Sequence, residues 1–182
     1  MSSAGKLILK YALLMALFCG AAGLLLPAVY ELTAPRRLAY QRELEAQSLR
    51  LVFPEARRIT PQDGYYETFD GQGKLLGYVL KISVPGYSSN IEMLAGLRRL
   101  DAGELQITGV KILAQAETPG LGAKIENDVF TDGLFGRTRH TLRLKKDGGD
   151  IDTITGATIT SRAVVDGLRR SLETFAKTGT II

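Results

Sequence analysis

Hydrophobic and polar positions along this chain fall into three regimes. From Tyr11 to Val29 runs YALLMALFCGAAGLLLPAV, an apolar stretch without a single charge. At about 1.5 Å rise per residue, a helix of that length covers close to the ~30 Å hydrocarbon core of a bilayer. The apolar core of a cleaved signal is usually about 7–15 residues and ends at a small-x-small site. Here the small patch Ala21-Ala22-Gly23 is followed by more leucine, and bulky Phe18 precedes Cys19 where a lipoprotein signal needs a small residue. The reading is a short tail over 1–10 and an uncleaved transmembrane helix over 11–30. Pro27 then sits near the far end, where a kink is tolerated.

The second regime, PRRLAYQRELEAQSLRLVFPE, sets Leu38, Leu44, Leu49 and Leu51 among charges. That pattern predicts an amphipathic helix over 31–53 that stops at Pro54. It serves either as a stalk and lid or as a plain solvated connector. A domain over 54–182 follows, and there the period changes to that of strands. YYETF, the Gly-containing turn DGQGK and LLGYVLKISV predict one hairpin. NIEMLAGLRRL, DAGE and LQITGVKILAQA predict a second. PGLGAKIENDVFTDGLFG places Ile125, Val129 and Phe130 at helical spacing, and TLRLK reads as a short alternating strand with His140 at its start. In SRAVVDGLRRSLETFAK, the residues Val164, Val165, Leu168, Leu172 and Phe175 share one face of a helix starting at Arg162. Antiparallel strands followed by helices predict an α+β domain: antiparallel sheet packed with helices, behind one transmembrane helix.

Composition narrows the function. Of 182 residues, 45% are hydrophobic and 23% charged, which fits one domain with an appendage and excludes a disordered or polytopic chain. The net charge of +4 tempts towards nucleic acid. Setting aside Lys6 and Lys10, however, leaves 21 basic against 19 acidic residues, a mixed surface with no nucleic-acid motif. Lys6 and Lys10 before the apolar run and Arg36, Arg37 and Arg42 after it leave the topology open; the arginines suit lipid headgroups. One cysteine and one histidine exclude an internal disulfide, a thiolate cluster and a multi-histidine metal site. DGGDID lacks the order and the distal glutamate of a calcium loop. No metal is expected.

Three segments are candidates for chemistry. DTITGATITS sets Thr158, Thr160 and Ser161 around a Gly-Ala turn before a helix. Thr160 or Ser161 suits the N-cap, and the small Gly156-Ala157 pair lets a phosphate approach the helix N-terminus. ETPGLG, Glu117 to Gly122, is either an ordinary turn or a tight loop against a planar ligand. VPGYSSNIEM puts Tyr87, Ser88 and Ser89 at a hairpin mouth, where Tyr87 either stacks on a ring or packs on its own sheet.

Together PGYSS, AETPGLGAKI and KKDGGDIDTITGATITSRAVV resemble the FMN-binding domain of the RnfG subunit of Rnf electron-transport complexes. The NqrC subunit of the sodium-pumping NADH:quinone oxidoreductase shares that domain. The resemblance covers the anchor and Tyr65 to Lys177, and is most specific from Lys145 to Val165. The short chain and KKDGGD favour RnfG. The resemblance implies FMN held covalently by a phosphoester to a threonine, made by a flavin transferase from FAD at an Asp-x-x-Ser/Thr-Gly-Ala-Thr/Ser pattern. Here that pattern is Asp152, Thr155, Gly156, Ala157 and Thr158, with Thr158 as the attachment site and Thr160 beside it. A lysine such as Lys146 would offset the phosphate charge. The ring would lie against Glu117, Thr118, Pro119, Gly120, Leu121 and Gly122, and against Tyr87 and Ser88.

The function implied is an electron-carrying subunit of an ion-translocating oxidoreductase, without independent catalysis of its own. It would relay electrons during ferredoxin:NAD oxidoreduction coupled to Na⁺ or H⁺ translocation. Its partners would be the other Rnf membrane and peripheral subunits, among them a second FMN-carrying one, with the transferase and the lipid bilayer. The location implied is the inner membrane, single-pass, with the domain on the periplasmic side. The alternatives are the NqrC subunit itself, a stand-alone membrane flavoprotein, and a non-redox membrane-anchored scaffold.

Overall fold

The computed structural model describes residues 3–100 and 103–179. Residues 1–2 of the expected tail, Asp101 and Ala102 of the expected DAGE turn, and the last three residues of the expected domain lie outside that range. The chain divides into two compact units at Glu43/Leu44.

The first unit belongs to helix α1 (Ser3–Val52), which runs unbroken through Pro27 and Pro35. Its apolar window has a mean hydropathy of 2.3, and none of that window is buried by protein. Leu13, Leu17, Phe18, Leu24 and Leu26 are all exposed. Apolar surface of this extent marks contact with something other than water. One helix of this length and composition is consistent with a single-pass membrane anchor.

The second unit starts with the last turns of α1. Strands β1 (Arg58–Pro61), β2 (Tyr65–Phe69), β3 (Leu75–Pro85), β4 (Asn90–Arg99) and β5 (Leu105–Ala114) form one antiparallel sheet in that order. Both expected hairpins are present. The β2–β3 turn is stabilised by Asp70, whose Oδ1 accepts from the N–H groups of Gln72 and Lys74 at 2.8 Å each. A short helix, α2 (Asp128–Asp132), and a long one, α3 (Thr158–Thr178), follow, with 3-10 turns at Gly122–Glu126 and Lys145–Asp147.

Alternation on β3 turns Leu80, Ile82 and Val84 to one face, and there they meet Val164, Leu168, Leu172 and Phe175 of α3. Each such side chain contributes about 1.5–3 kcal/mol on burial. Gly167 brings α3 close to the sheet, since a Cβ there would stand 2.4 Å from Val84 Cγ1. Tyr65, Tyr78 and Phe175 close one end through edge-to-face contacts with centroids 4.9–5.9 Å apart. The opposite face is covered near its middle by the end of α1: Leu49, Val52 and Phe53 pack on Val79 and Leu94. Thr108 donates to the Val52 carbonyl at 2.7 Å. Tyr66 donates to Glu45 at 2.7 Å, and burial together with that carboxylate pushes its phenol up to about 12.

Several expectations are corrected. TLRLK is not a strand: Leu142 and Leu144 are buried alternately, yet among the described residues its only pairing is an isolated bridge from Leu144 to Ile151. The alternation there records which side faces the core, not a ladder. His140 lies in a turn and is exposed, with its imidazole 3.9 Å from Glu104. Val129 does not share the face of Ile125 and Phe130; it is 90% exposed, because extended backbone at Asn127 resets the helical phase. Helix α3 begins at Thr158 rather than Arg162. Strand β1 was not anticipated, being four residues that end in proline, which suits an edge.

Gly96 is where the sheet admits the end of α1. A Cβ at this position would stand 2.2 Å from the Val52 carbonyl oxygen and 2.4 Å from Thr108 Oγ1. Gly96→Ala should therefore destabilise the domain by about 1–3 kcal/mol. Gly71→Ala, whose Cβ meets nothing closer than 4.0 Å, is the control. Thermal unfolding of the detergent-purified chain checks this; equal midpoints for the two variants would contradict the packing described.

Candidate functional site

Two glycine turns and one helix end build the site. In Thr118-Pro119-Gly120-Leu121, the Leu121 N–H donates to the Thr118 carbonyl at 3.1 Å, and Gly120 has φ +75°. Proline second and a positive-φ glycine third is the arrangement of a type II turn. In Ile154-Thr155-Gly156-Ala157, the Ala157 N–H donates to the Ile154 carbonyl at 3.0 Å, and Gly156 has φ +80°. The two turns touch: a Cβ on Gly156 would stand 2.9 Å from Leu121 Cδ2. Buried Ser161 fastens the second turn to α3, accepting from the Ile154 N–H at 3.1 Å and donating to the Ala157 carbonyl at 3.0 Å.

Between them opens a cleft of about 560 Å³. One wall is Tyr87, Thr118, Leu121 and Gly122; the other is Gly156, Ala157, Thr158, Ile159 and Thr160. Thr158 is the first residue of α3, and the N-cap Ala157 makes no side-chain capping bond. The first-turn N–H groups, which have no intrahelical acceptor, are therefore left to whatever lies at that helix end. The expected capping role of Thr160 or Ser161 is overturned: both lie inside α3, Ser161 holds the turn, and Thr160 donates to Glu117 at 2.6 Å.

The 3-10 turn Lys145–Asp147 is fixed onto this segment residue by residue. Lys145 pairs with Asp152 at 2.7 Å, and Asp147 accepts from Arg162 at 2.8 Å. Between those two ion pairs, Lys146 Nζ donates to Thr158 Oγ1 at 3.1 Å. Gly149 makes the tight return possible, since a Cβ there would stand 2.1 Å from the Arg143 carbonyl oxygen. The result is a cation held on a hydroxyl at an uncapped helix N-terminus, which is a site for an anion.

Glu117 is 4% exposed and is used by the protein itself. Its Oε1 accepts from the N–H groups of Ser88 and Ser89 at 3.0 Å each and from Ser89 Oγ at 3.2 Å. Its Oε2 accepts from the Tyr87 N–H at 3.2 Å and from Thr160 Oγ1. Burial alone raises a carboxyl pKa, but here the Thr160 hydroxyl and the three backbone donors outweigh it and hold the group down at about 2.

Of the expected site residues, Thr158, Gly156, Ala157, Thr160, Thr118, Leu121, Gly122 and Tyr87 line the cleft, and Lys146 reaches Thr158. Asp152 is engaged by Lys145, and Ser88 donates to the Ala116 carbonyl at 3.0 Å. Thr155, Pro119 and Gly120 are exposed outside the lining. Sequence reasoning missed Ile159, a large apolar residue that is 57% exposed in the first turn of α3. It also missed the pairing of Asp147 with Arg162, which no spacing rule signals.

The Glu117 carboxyl titrates near 4.5 when unfolded and near 2 when folded, so its contribution to stability is complete above pH 4.5 and is lost as pH falls towards 2. The shift corresponds to roughly 3 kcal/mol. Unfolding by urea at pH 7 and at pH 3 should show roughly 2 kcal/mol of this loss in the wild type, since pH 3 still lies above the folded value, and a much smaller one in Glu117→Gln; identical pH dependence in both would contradict it.

The FMN-binding domain family matches residues 86–173, which hold both cleft walls. The G subunit of the ion-translocating oxidoreductase complex of Methanosarcina acetivorans is 31% identical, over 94% of this chain and 96% of that protein. Its namesake from Aliivibrio fischeri is 32% identical, over 90% and 88%. The G subunit of the proton-translocating ferredoxin:NAD(+) oxidoreductase complex of Clostridium ljungdahlii is 28% identical, over 85% and 84%. Among solved structures, NqrC of Shewanella oneidensis shares the fold, with a TM-score of 0.53 at 20% identity, over 69% of this chain and 72% of that one. The C subunit of the Na(+)-translocating NADH-quinone reductase of Parabacteroides distasonis reaches 0.50 at 26%, over 62% and 61%. With an apolar N-terminal helix, a five-stranded antiparallel sheet and this cleft, the chain belongs to the RnfG family of ion-translocating oxidoreductase G subunits, whose FMN-binding domain is shared with NqrC.

Proposed function

We propose that this chain carries FMN covalently, as a phosphoester to Thr158, and relays electrons within an Rnf-type membrane complex. The observation that carries the reading is the Lys146 ammonium on the Thr158 hydroxyl at the uncapped end of α3. The residues fit the group. First-turn N–H groups and Lys146 suit a phosphate. Leu121, Gly122 and Tyr87 offer a part-apolar wall to a planar ring. When bound, the flavin supplies reversible electron uptake, and the chain supplies position and field.

Attachment needs help from outside the chain. A threonine hydroxyl is a weak nucleophile unless a base or metal activates it. The described partner of Thr158 Oγ1 is the Lys146 ammonium, which donates to the hydroxyl and offers it no acceptor for its proton. A flavin transferase would therefore supply the base. In that transfer Thr158 Oγ1 would bond to the flavin-side phosphorus of FAD, with the bond between the two phosphates breaking, AMP leaving and the hydroxyl proton passing to the enzyme. Lys146 offsets charge at the acceptor oxygen during this transfer and at the ester afterwards.

The wider role follows the relatives. The Clostridium ljungdahlii relative is named for a proton-translocating ferredoxin:NAD(+) oxidoreductase. By analogy the flavin here exchanges electrons with neighbouring subunits, a second FMN-carrying one among them, while the complex moves Na⁺ or H⁺. The anchor sits in the inner membrane, with the domain on its periplasmic side. A covalent cofactor suits that side, where a dissociated flavin is not replaced. Identity of 31% over 94% of this chain and 96% of the Methanosarcina acetivorans G subunit supports the Rnf role.

Produced with the transferase and run in SDS, the chain should give a yellow-fluorescent band. Thr158→Ala should abolish it, whereas Thr160→Ala should retain it; fluorescence in the first variant moves the ester to another hydroxyl, and none in the wild type favours the scaffold. Lys146→Met should slow attachment by roughly ten- to a hundredfold, the equivalent of losing a charged hydrogen bond. Unchanged attachment kinetics would remove Lys146 from the site.

A further inference from the structure

We propose that Glu117 is a positioning residue for the flavin, a buried anion that ties one wall of the cleft to α3 and sets a negative field behind the ring site. The proposal rests on FMN being attached at Thr158. Three observations carry it.

The first is connectivity. One carboxylate gathers the Tyr87–Ser89 turn and Thr160 of α3. Successive N–H groups of a turn wrapped round an anion form a preorganised concavity, so the wall is assembled before any cofactor arrives. The second is crowding. A Cβ on Gly86 would stand 2.6 Å from Glu117 Oε1, and one on Gly122 would stand 2.8 Å from Glu117 Cβ. The backbone on both sides is closed down on this side chain.

The third is charge. Among the described residues, no lysine, arginine or histidine forms an ion pair with Glu117. Its donors are neutral dipoles, which stabilise the ionised form without cancelling it. Tyr87, Gly122 and Thr160 touch the carboxylate side of the wall and also line the cleft. The buried anion therefore stands one residue behind the cleft wall, where its field is screened less than that of an exposed carboxylate. Lys146 holds the opposite sign at the attachment end. The cleft is thus polarised along its length, positive at the ester and negative behind the ring. A flavin that takes up electrons gains negative charge, so Glu117 disfavours the reduced form and lowers the midpoint potential.

The test is a spectroelectrochemical titration at pH 7 of the full-length, detergent-purified flavinylated chain. Glu117→Gln preserves shape and removes the charge, so its midpoint should shift to a more positive potential. Thr160→Val also preserves shape but strips a donor that masks the charge, so its midpoint should shift to a more negative one. Opposite shifts support the proposal. Unchanged midpoints, or shifts in the same direction, overturn it, since a merely mechanical strut distorts the site alike in both. If Glu117→Gln does not fold, the sign of the Thr160→Val shift decides. In-gel fluorescence of the wild type tests attachment separately, so failure of the ester and failure of the field are distinguishable.

Discussion

A carboxylate with almost no access to water must find its hydrogen bonds within the protein, and at Glu117 that requirement organises the whole site. An ionised group left unsatisfied at such a position is costly, so the surrounding chain is shaped to serve it. The β3–β4 turn aims three N–H groups at it, α3 contributes the Thr160 hydroxyl, and glycines at 86 and 122 give it room. Because Tyr87, Gly122 and Thr160 also face the cleft, the same bonds that satisfy the anion define where a ligand fits. The packing of α3 on the sheet through Gly167 and Val84 keeps the helix end at a fixed distance from the hairpin.

The second organising element is the KKD turn. Its flanking ion pairs, Lys145 with Asp152 and Asp147 with Arg162, are exposed and individually worth little. Their effect is geometric: they fix the turn from both sides, and Lys146 between them is held on Thr158. A hydroxyl beside a fixed cation and free first-turn N–H groups is poorly suited to an apolar partner and well suited to a phosphoryl group. On the proposed reading, the ester completes the helix end that no side chain caps.

What was legible in the sequence was whatever local pattern dictates. Two-residue alternation between glycine turns located both hairpins, and helical spacing of Val164, Leu168, Leu172 and Phe175 found the buried face of α3. The family resemblance carried by PGYSS, ETPGLG and TITGAT, and not local pattern, pointed to both walls of the cleft. What was not legible depended on tertiary partners. Thr160 and Ser161 have the composition of helix caps, but their hydroxyls are taken by Glu117 and by the 154–157 turn, so the helix begins earlier. TLRLK alternates like a strand because one side faces the core, while its tight return through Gly149 denies it a ladder. Glu117 read as a loop residue beside a ligand, because nothing local tells an inward carboxylate from an outward one.

The central claim is the bond at Thr158, and peptide mass mapping tests it most directly. Trypsin cleavage after Lys146 and Arg162 releases the segment from Asp147 to Arg162, which holds Thr153, Thr155, Thr158, Thr160 and Ser161 together. From chain produced with the transferase, this peptide should carry the added mass of an FMN phosphoryl group, with fragment ions locating it on Thr158. A bare peptide, or the added mass on any other of these hydroxyls, would contradict the account.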